Sequence, residues 1–281
     1  MEIRVAGTAG FCFGVERAVE RVESLLRQGK TPLYTYGPII HNEQVVEDFA
    51  ARGVRVLHSL EEAQTAPPGT LVIRSHGVSR AEQERMEELG FDLEDATCPF
   101  VKKIHHLVQQ ADEDGRQVII TGDPRHPEVR AITGWCGQTP FVIGEEAEIP
   151  DLPADTPLLL VSQTTFMLEK FQKIVENIKK KYYNVSVVNT ICHATQKRQQ
   201  EAEELAAAAD AMIVIGGKQS SNTAKLAEIC EAHCANTYYV QSAEDLDHQG
   251  FVPVRVVGIT AGASTPKKII EEVQNFVGSK F

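Results

Sequence analysis

The stretch from residue 96 to residue 122, ATCPFVKKIHHLVQQADEDGRQVIITG, reads as a cysteine, a helix and a strand in succession. After Cys98, the apolar residues Val101, Ile104, Val108 and Ala111 recur at spacings of three and four. That is the stripe of an amphipathic helix. An apolar strand, QVIIT, then stops at Gly122. The same order occurs twice more. Cys12 precedes Val15, Val19, Val22 and Leu26, then LYTY ending at Gly37; Cys192 precedes Ala202, Leu205, Ala206 and Ala209, then AMIVI ending at Gly216. From cysteine to glycine is 25, 24 and 24 residues, and the cysteines lie 86 and 94 residues apart. Regularity of this kind marks a repeated supersecondary unit.

Polar residues repeat on the same frame. His41, His126 and Ser220 follow their cysteines by 29, 28 and 28 residues. A second strand in each unit leads to another polar station: TLVIRS to His76, LLLVSQ to Thr164 and Thr165, and VRVVGITAGA to Ser264. Strands and helices alternate throughout, which predicts an α/β protein with parallel sheets. In such sheets ligands bind beyond the carboxyl ends of the strands. The expected fold is therefore three similar parallel-sheet α/β units with pseudo-threefold symmetry around one central site. The expected boundaries are residues 14–96, 97–193 and 194–281. FDLED before Cys98 and VSVVN before Cys192 close the first two units; the third runs out after the helix that follows Pro266, and IRVAG before Cys12 is available to replace its last strand. Residues 1–13 are accordingly expected to complete the third unit.

Composition sets the outer limits. The chain has 281 residues, 42% hydrophobic and 24% charged, the balance of a soluble globular protein. Its net charge of −11 argues against a nucleic-acid partner. An anionic small molecule is still compatible, because a local site can oppose the global sign. No apolar run reaches the roughly 18 residues of a membrane span, and MEIRVAGTAG lacks a signal-peptide pattern, so the expected location is cytoplasmic. There the six cysteines are expected as thiols, metal ligands or catalytic groups rather than disulfides.

Free cysteines are commonly small core residues, and that reading suits Cys230 on its helix; Cys136 and Cys234 have no repeat partner. Cys230 and Cys234, four residues apart, could also share a helix face as a metal pair, but no third ligand accompanies them. Cys12, Cys98 and Cys192 differ, because each precedes a helix, whose dipole favours the metal-binding thiolate. Three thiolates suit zinc with a histidine or water as fourth ligand. They equally suit a [4Fe–4S] cluster with one iron open to substrate.

The polar stations sit where helices begin. Ser220-Ser221-Asn222 and Ser264 can cap helices, and the same positions form anion sites. With His41, His76 and His126 they suggest a phosphate or diphosphate cradle, and no GxxxxGK[ST] loop is present. Glu128 is the one carboxylate beside a station, a candidate proton donor or simply a first-turn glutamate. The other histidines are read as structural or solvated. Glu82–Glu88, Glu145–Glu148 and Glu201–Glu204 are read as solvated acidic faces.

Taken together, GFCFGVERAV (10–19), HN (41–42), SHGV (75–78), ATCPFV (96–101), HPEV (126–129), SQTT (162–165), ICHAT (191–195), SSN (220–222) and AGAS (261–264) resemble the 4-hydroxy-3-methylbut-2-enyl diphosphate reductase family, in order and across the whole chain. The resemblance implies a [4Fe–4S] cluster on Cys12, Cys98 and Cys192, with one iron open to the substrate hydroxyl. It implies an allylic alcohol diphosphate as substrate, two electrons from a reduced ferredoxin or flavodoxin, and isopentenyl and dimethylallyl diphosphate as products. It places the diphosphate on His41, His76, His126, Ser220, Ser221, Asn222 and Ser264. Glu128 becomes the acid, Thr164 the residue orienting the hydroxyl, and Thr195 a supporting residue. Lys102-Lys103 and Lys179–Lys181 are the basic candidates for meeting an acidic donor. His193 and Gln196-Lys197 depart from the family pattern. Two rivals remain on the residues alone: a [4Fe–4S] hydro-lyase needing no reductant, and a zinc enzyme or zinc-stabilised module acting on a phosphorylated metabolite.

Overall fold

A computed structural model describes residues 2–252 and 254–279. The outermost residues of the expected end segments, Met1, Lys280 and Phe281, lie outside the described residues. In chain order the first elements are β1 (Glu2–Val5), α1 (Phe13–Arg27), β2 (Leu33–Tyr36), α2 (Glu43–Ala51), β3 (Val54–Leu57), α3 (Leu60–Thr65), β4 (Thr70–Ile73), α4 (Arg80–Glu88) and β5 (Asp92–Asp95). Next come α5 (Pro99–Glu113), β6 (Gln117–Thr121), α6 (Pro127–Thr133), β7 (Phe141–Ile143), β8 (Leu158–Ser162), α7 (Leu168–Lys181) and β9 (Val185–Val187). The last are α8 (His193–Ala208), β10 (Ala211–Ile215), α9 (Ser221–His233), β11 (Thr237–Val240), α10 (Ala243–His248), β12 (Val256–Ala261) and α11 (Lys267–Ser279).

The chain divides into two compact units, one of Met1–Val15, His41–Val45 and His193–Phe281, the other of Glu16–Ile40 and Val46–Cys192. The larger unit holds two four-stranded sheets, ordered β3-β2-β4-β5 and β7-β6-β8-β9. The smaller holds the third, ordered β11-β10-β12-β1. All pairings are parallel. The three sheets thus share one strand order, and β1 takes the place against β12 that β5 and β9 take against β4 and β8. Glu2 pairs with Val256 and Val5 with Ile259 in that ladder.

Burial explains why the inner strands read as unbroken apolar runs. Every residue of β2, β4, β8, β10 and β12 is buried. Strands covered on both faces need no polar alternation. The outer strands β1, β5 and β9 are partly exposed and carry more charged and polar residues. That composition suits a sheet edge, where backbone groups must not invite further pairing. The stripe of α5 faces inward: Val101, Ile104, Val108 and Ala111 are each at most 2% exposed. Burying each valine or isoleucine of that kind is worth about 1.5–3 kcal/mol. On α1 the buried line is Ala18, Val22 and Leu25, with Val15, Val19 and Leu26 half-buried beside it.

The shared order fixes where ligands can reach. In each sheet the chain runs outward from one inner strand, then returns to that strand's other side. The crevice of such a reversal opens at the carboxyl ends of the two inner strands. Those pairs are β2 with β4, β6 with β8, and β10 with β12.

Candidate active site

Each polar station leaves one of those carboxyl ends. His41 follows β2, His76 follows β4, His126 follows β6, Thr164 follows β8, Ser220 follows β10 and Ser264 follows β12. Each of the three cysteines immediately follows the loop from an edge strand and immediately precedes a helix: Cys12 before α1, Cys98 before α5, Cys192 before α8. Their backbones are held identically. The amide of Cys98 donates to Ser75 O at 2.9 Å, that of Cys192 to Thr164 O at 2.9 Å, and that of Cys12 to Ala263 O at 3.2 Å. Ser75, Thr164 and Ala263 each lie two residues beyond the end of β4, β8 and β12.

In the larger unit these contacts form a continuous chain between two cysteines. Cys98 joins Ser75, the neighbour of His76. The His76 and His126 rings meet edge to face with centroids 5.3 Å apart. His126 caps α6, its Nδ1 accepting the Glu128 amide at 3.2 Å. The neutral ring therefore carries its proton on Nε2, a donor suited to an anion. Glu128 is 2% exposed. Its carboxylate accepts the Thr164 amide at 2.6 Å and the Thr164 hydroxyl at 2.7 Å. Thr164 O in turn accepts the Cys192 amide.

The smaller unit repeats the theme around Cys12. Ala263, which accepts the Cys12 amide, adjoins Ser264, whose hydroxyl donates to His41 O at 3.0 Å. The same carbonyl lies so close to Gly217 that a Cβ there would meet it at 2.8 Å, so the glycine permits the approach. Ser220 caps α9, accepting from the amide and hydroxyl of Thr223 at 3.3 and 2.8 Å. Capping occupies Ser220, while Asn222 is 5% exposed and its buried Nδ2 has no hydrogen-bond partner among the described residues. An amide donor left so is costly unless something accepts from it. Ser221 is half-buried at the first position of α9.

None of the six cysteines is in a disulfide. Cys12, Cys98 and Cys192 are partly exposed, and Cys98 makes no side-chain capping bond. Burial pushes the Cys136 and Cys230 thiols up to about 12, with Asp112 adding to the first and Cys234 to the second. Cys230 is a core residue, and Cys136 is half-buried against the core beneath α5 and α6. Three accessible thiols at matched helix starts fit a metal group that takes three protein ligands.

Two acidic residues read as solvated are engaged. Glu201 accepts the amides of Gly7 and Thr8 at 2.6 and 2.9 Å, and also the Thr8 hydroxyl. Glu82 forms the capping box of α4 with Ser79 and accepts from the Tyr36 hydroxyl at 3.1 Å. Sequence reading also passed over Arg198, which is 3% exposed and donates to Ala261 O at 2.9 Å and Gly10 O at 2.8 Å. Together α8 residues Arg198 and Glu201 hold the segment that leads into Cys12.

Residues 3–278 match the family model described as LytB protein. The chain belongs to the LytB family. Relatives of this LytB-family chain carry the name 4-hydroxy-3-methylbut-2-enyl diphosphate reductase. The one from Caldanaerobacter subterraneus subsp. tengcongensis is 45% identical over 274 residues, 97% of this chain and 95% of its own. The one from Geobacter sulfurreducens is 44% identical over 274 residues, with the same coverage. Among solved structures, (E)-4-hydroxy-3-methyl-but-2-enyl diphosphate reductase, described as the terminal enzyme of the non-mevalonate pathway, aligns with TM-score 0.72 at 38% identity, covering 99% of this chain and 100% of that one. The E-1-hydroxy-2-methyl-but-2-enyl-4-diphosphate reductase of Plasmodium falciparum aligns with TM-score 0.91 at 29% identity, covering 99% and 87%. The α/β fold of three similar units is shared with these enzymes. Among the described residues, no helix is long and apolar enough to cross a membrane.

Proposed function

We propose that this reductase removes the hydroxyl of (E)-4-hydroxy-3-methylbut-2-enyl diphosphate, giving isopentenyl and dimethylallyl diphosphate. Two electrons and two protons enter, the C–O bond breaks, a C–H bond forms, and the oxygen leaves as water. Cys12, Cys98 and Cys192 hold a [4Fe–4S] cluster. When bound, that group supplies the electrons and a Lewis-acidic iron with a vacant position. The observation that carries this reading is the matched setting of the three cysteines. Each starts a helix, and each amide is tied to the carbonyl two residues past an inner strand.

The chain's own residues do the rest. Hydroxide is a poor leaving group, so its departure needs a proton. Glu128 is the acid, and Thr164 orients the substrate hydroxyl while its own hydroxyl is bonded to the Glu128 carboxyl group. His41, His76, His126, Ser220, Ser221, Asn222 and Ser264 bind the diphosphate. The His126 Nε2 proton and the buried Asn222 amide are donors of the kind phosphate oxygens accept. Diphosphate binding lies far from the broken bond, so its energy goes into orientation. The electrons come from a reduced ferredoxin or flavodoxin, and the setting is cytoplasmic, where cysteines stay reduced.

The test is anaerobic purification followed by iron and zinc analysis. A brown protein with about four irons per chain supports the reading. A colourless protein holding zinc overturns it.

A further inference from the structure

The geometry points to His105 and Trp135 as positioning residues that hold the turn carrying His76. The inference rests on the reading of His76 as a diphosphate ligand and extends it to residues that do not touch the diphosphate.

The turn Ser75–Val78 is anchored on both sides of His76 by other elements. Before it, Ser75 O accepts the Cys98 amide, and the Ser75 hydroxyl donates to Ile39 O at 3.3 Å. After it, Gly77 adopts φ +74°, and a Cβ at that position would meet His105 Cε1 at 2.9 Å and Thr97 Cγ2 at 3.1 Å. Gly77 therefore rests directly on the His105 ring. Next, Val78 O accepts the Trp135 indole N–H at 2.8 Å. The Trp135 indole lies nearly flat on the His105 imidazole, centroids 5.2 Å apart and planes 14° apart. One aromatic pair thus supports Gly77 with one ring and grips Val78 with the other.

His105 sits in the interior of α5, the helix Cys98 begins, and is 5% exposed. Its buried Nε2 has no hydrogen-bond partner among the described residues. Burial pushes its pKa down to about 4, so the ring is neutral when it stacks. A buried imidazole with an unmet nitrogen is a costly way to fill a core. The contact with Gly77 and Trp135 is what it provides. Trp135 follows the end of α6, whose N-cap residue His126 meets the His76 ring at the other end. The same short helix therefore touches the His76 turn at both ends.

A positioning role predicts an effect that exists only while His76 is present. The holoenzyme is prepared anaerobically as wild type, Trp135→Phe, His76→Asn and the double variant. Trp135→Phe keeps the stack and removes the hydrogen bond to Val78. It is expected to raise KM for the allylic diphosphate roughly tenfold, with kcat within about threefold, and to weaken competitive inhibition by inorganic pyrophosphate in parallel. In the His76→Asn background the same change is expected to add less than about twofold, the signature of coupled residues. His105→Ala, which leaves the Trp135 hydrogen bond in place, runs as a second, independent cycle and is expected to couple to His76 in the same way. Equal effects with and without His76, or a loss confined to kcat, overturn the inference while the role of His76 stands. A normal KM and normal pyrophosphate inhibition in His76→Asn alone overturn the diphosphate assignment and this inference with it.

Discussion

Thr164 donates both its amide and its hydroxyl to the buried carboxylate of Glu128, at 2.6 and 2.7 Å. One residue thus engages both oxygens of the acid, and the Thr164 carbonyl holds the amide of Cys192. The turn after β8 thus ties Glu128 on α6 to Cys192 at the start of α8 through the single residue Thr164. Glu128→Gln keeps the size of the side chain but removes the proton it can give. We expect kcat to fall roughly 10²–10⁴-fold, the usual weight of a positioned acid. Iron content and the visible absorption of the cluster should stay unchanged. Near-normal turnover would remove Glu128 from the mechanism. Thr164→Val deletes the hydroxyl and spares the amide bond, so its loss should be smaller.

Cysteine identity separates ligands from core residues. Cys98→Ser and Cys192→Ser should lose the cluster or hold it weakly, read as iron per chain after gel filtration. Cys136→Ser and Cys230→Ser should retain it, the second at a cost in stability, because it replaces a fully buried thiol. A full, stable cluster in Cys98→Ser contradicts the assignment.

The first strand completes a sheet whose other members lie at the far end of the chain. Deleting residues 1–8 removes the β1 ladder and the partners of Glu201 at Gly7 and Thr8. A loss of a few hydrogen bonds at about 1 kcal/mol each corresponds to a drop in Tm of roughly 10–20 °C for a unit of this size. Scanning calorimetry of the truncated chain provides the check, and an unchanged melting curve contradicts the role given to β1.

Acid should weaken the fold through His105. Its pKa lies at about 4, below the ordinary 6.5, because burial opposes the charged ring. Above pH 6.5 both folded and unfolded chains carry it neutral, and it contributes no pH dependence. As pH falls below 6.5 the unfolded chain takes up a proton that the folded chain refuses. Stability therefore falls with pH until about pH 4, by about 3 kcal/mol in all. In His105→Gln the slope of unfolding free energy between pH 6.5 and 4.5 should be shallower by that component. Identical slopes would mean that the ring is not held neutral.

Local pattern carried much of this molecule. The three cysteine–helix–strand repeats were legible because each is set by residues within about 25 positions of one another. The part played by IRVAG was legible only as a gap, the missing last strand of the third repeat. The residues that hold the site in place were not legible. Trp135 acts on a carbonyl 57 positions away, Arg198 on one 188 positions away, and Glu201 on an amide 194 positions away. Nothing in their immediate neighbours signals such partners, and an acidic helix such as α8 reads as a solvated face until its tertiary contacts are known. Sequence places His105 among the histidines read as structural or solvated; burial makes it structural, while His106 beside it is exposed.

This chain spends electrons to remove a hydroxyl. The most direct measurement is the stoichiometry of anaerobic turnover, reductant oxidised per diphosphate product formed from 4-hydroxy-3-methylbut-2-enyl diphosphate. Two electrons are expected for each isopentenyl or dimethylallyl diphosphate, with no turnover once the reductant is exhausted. Conversion of the substrate with no reductant consumed would contradict it.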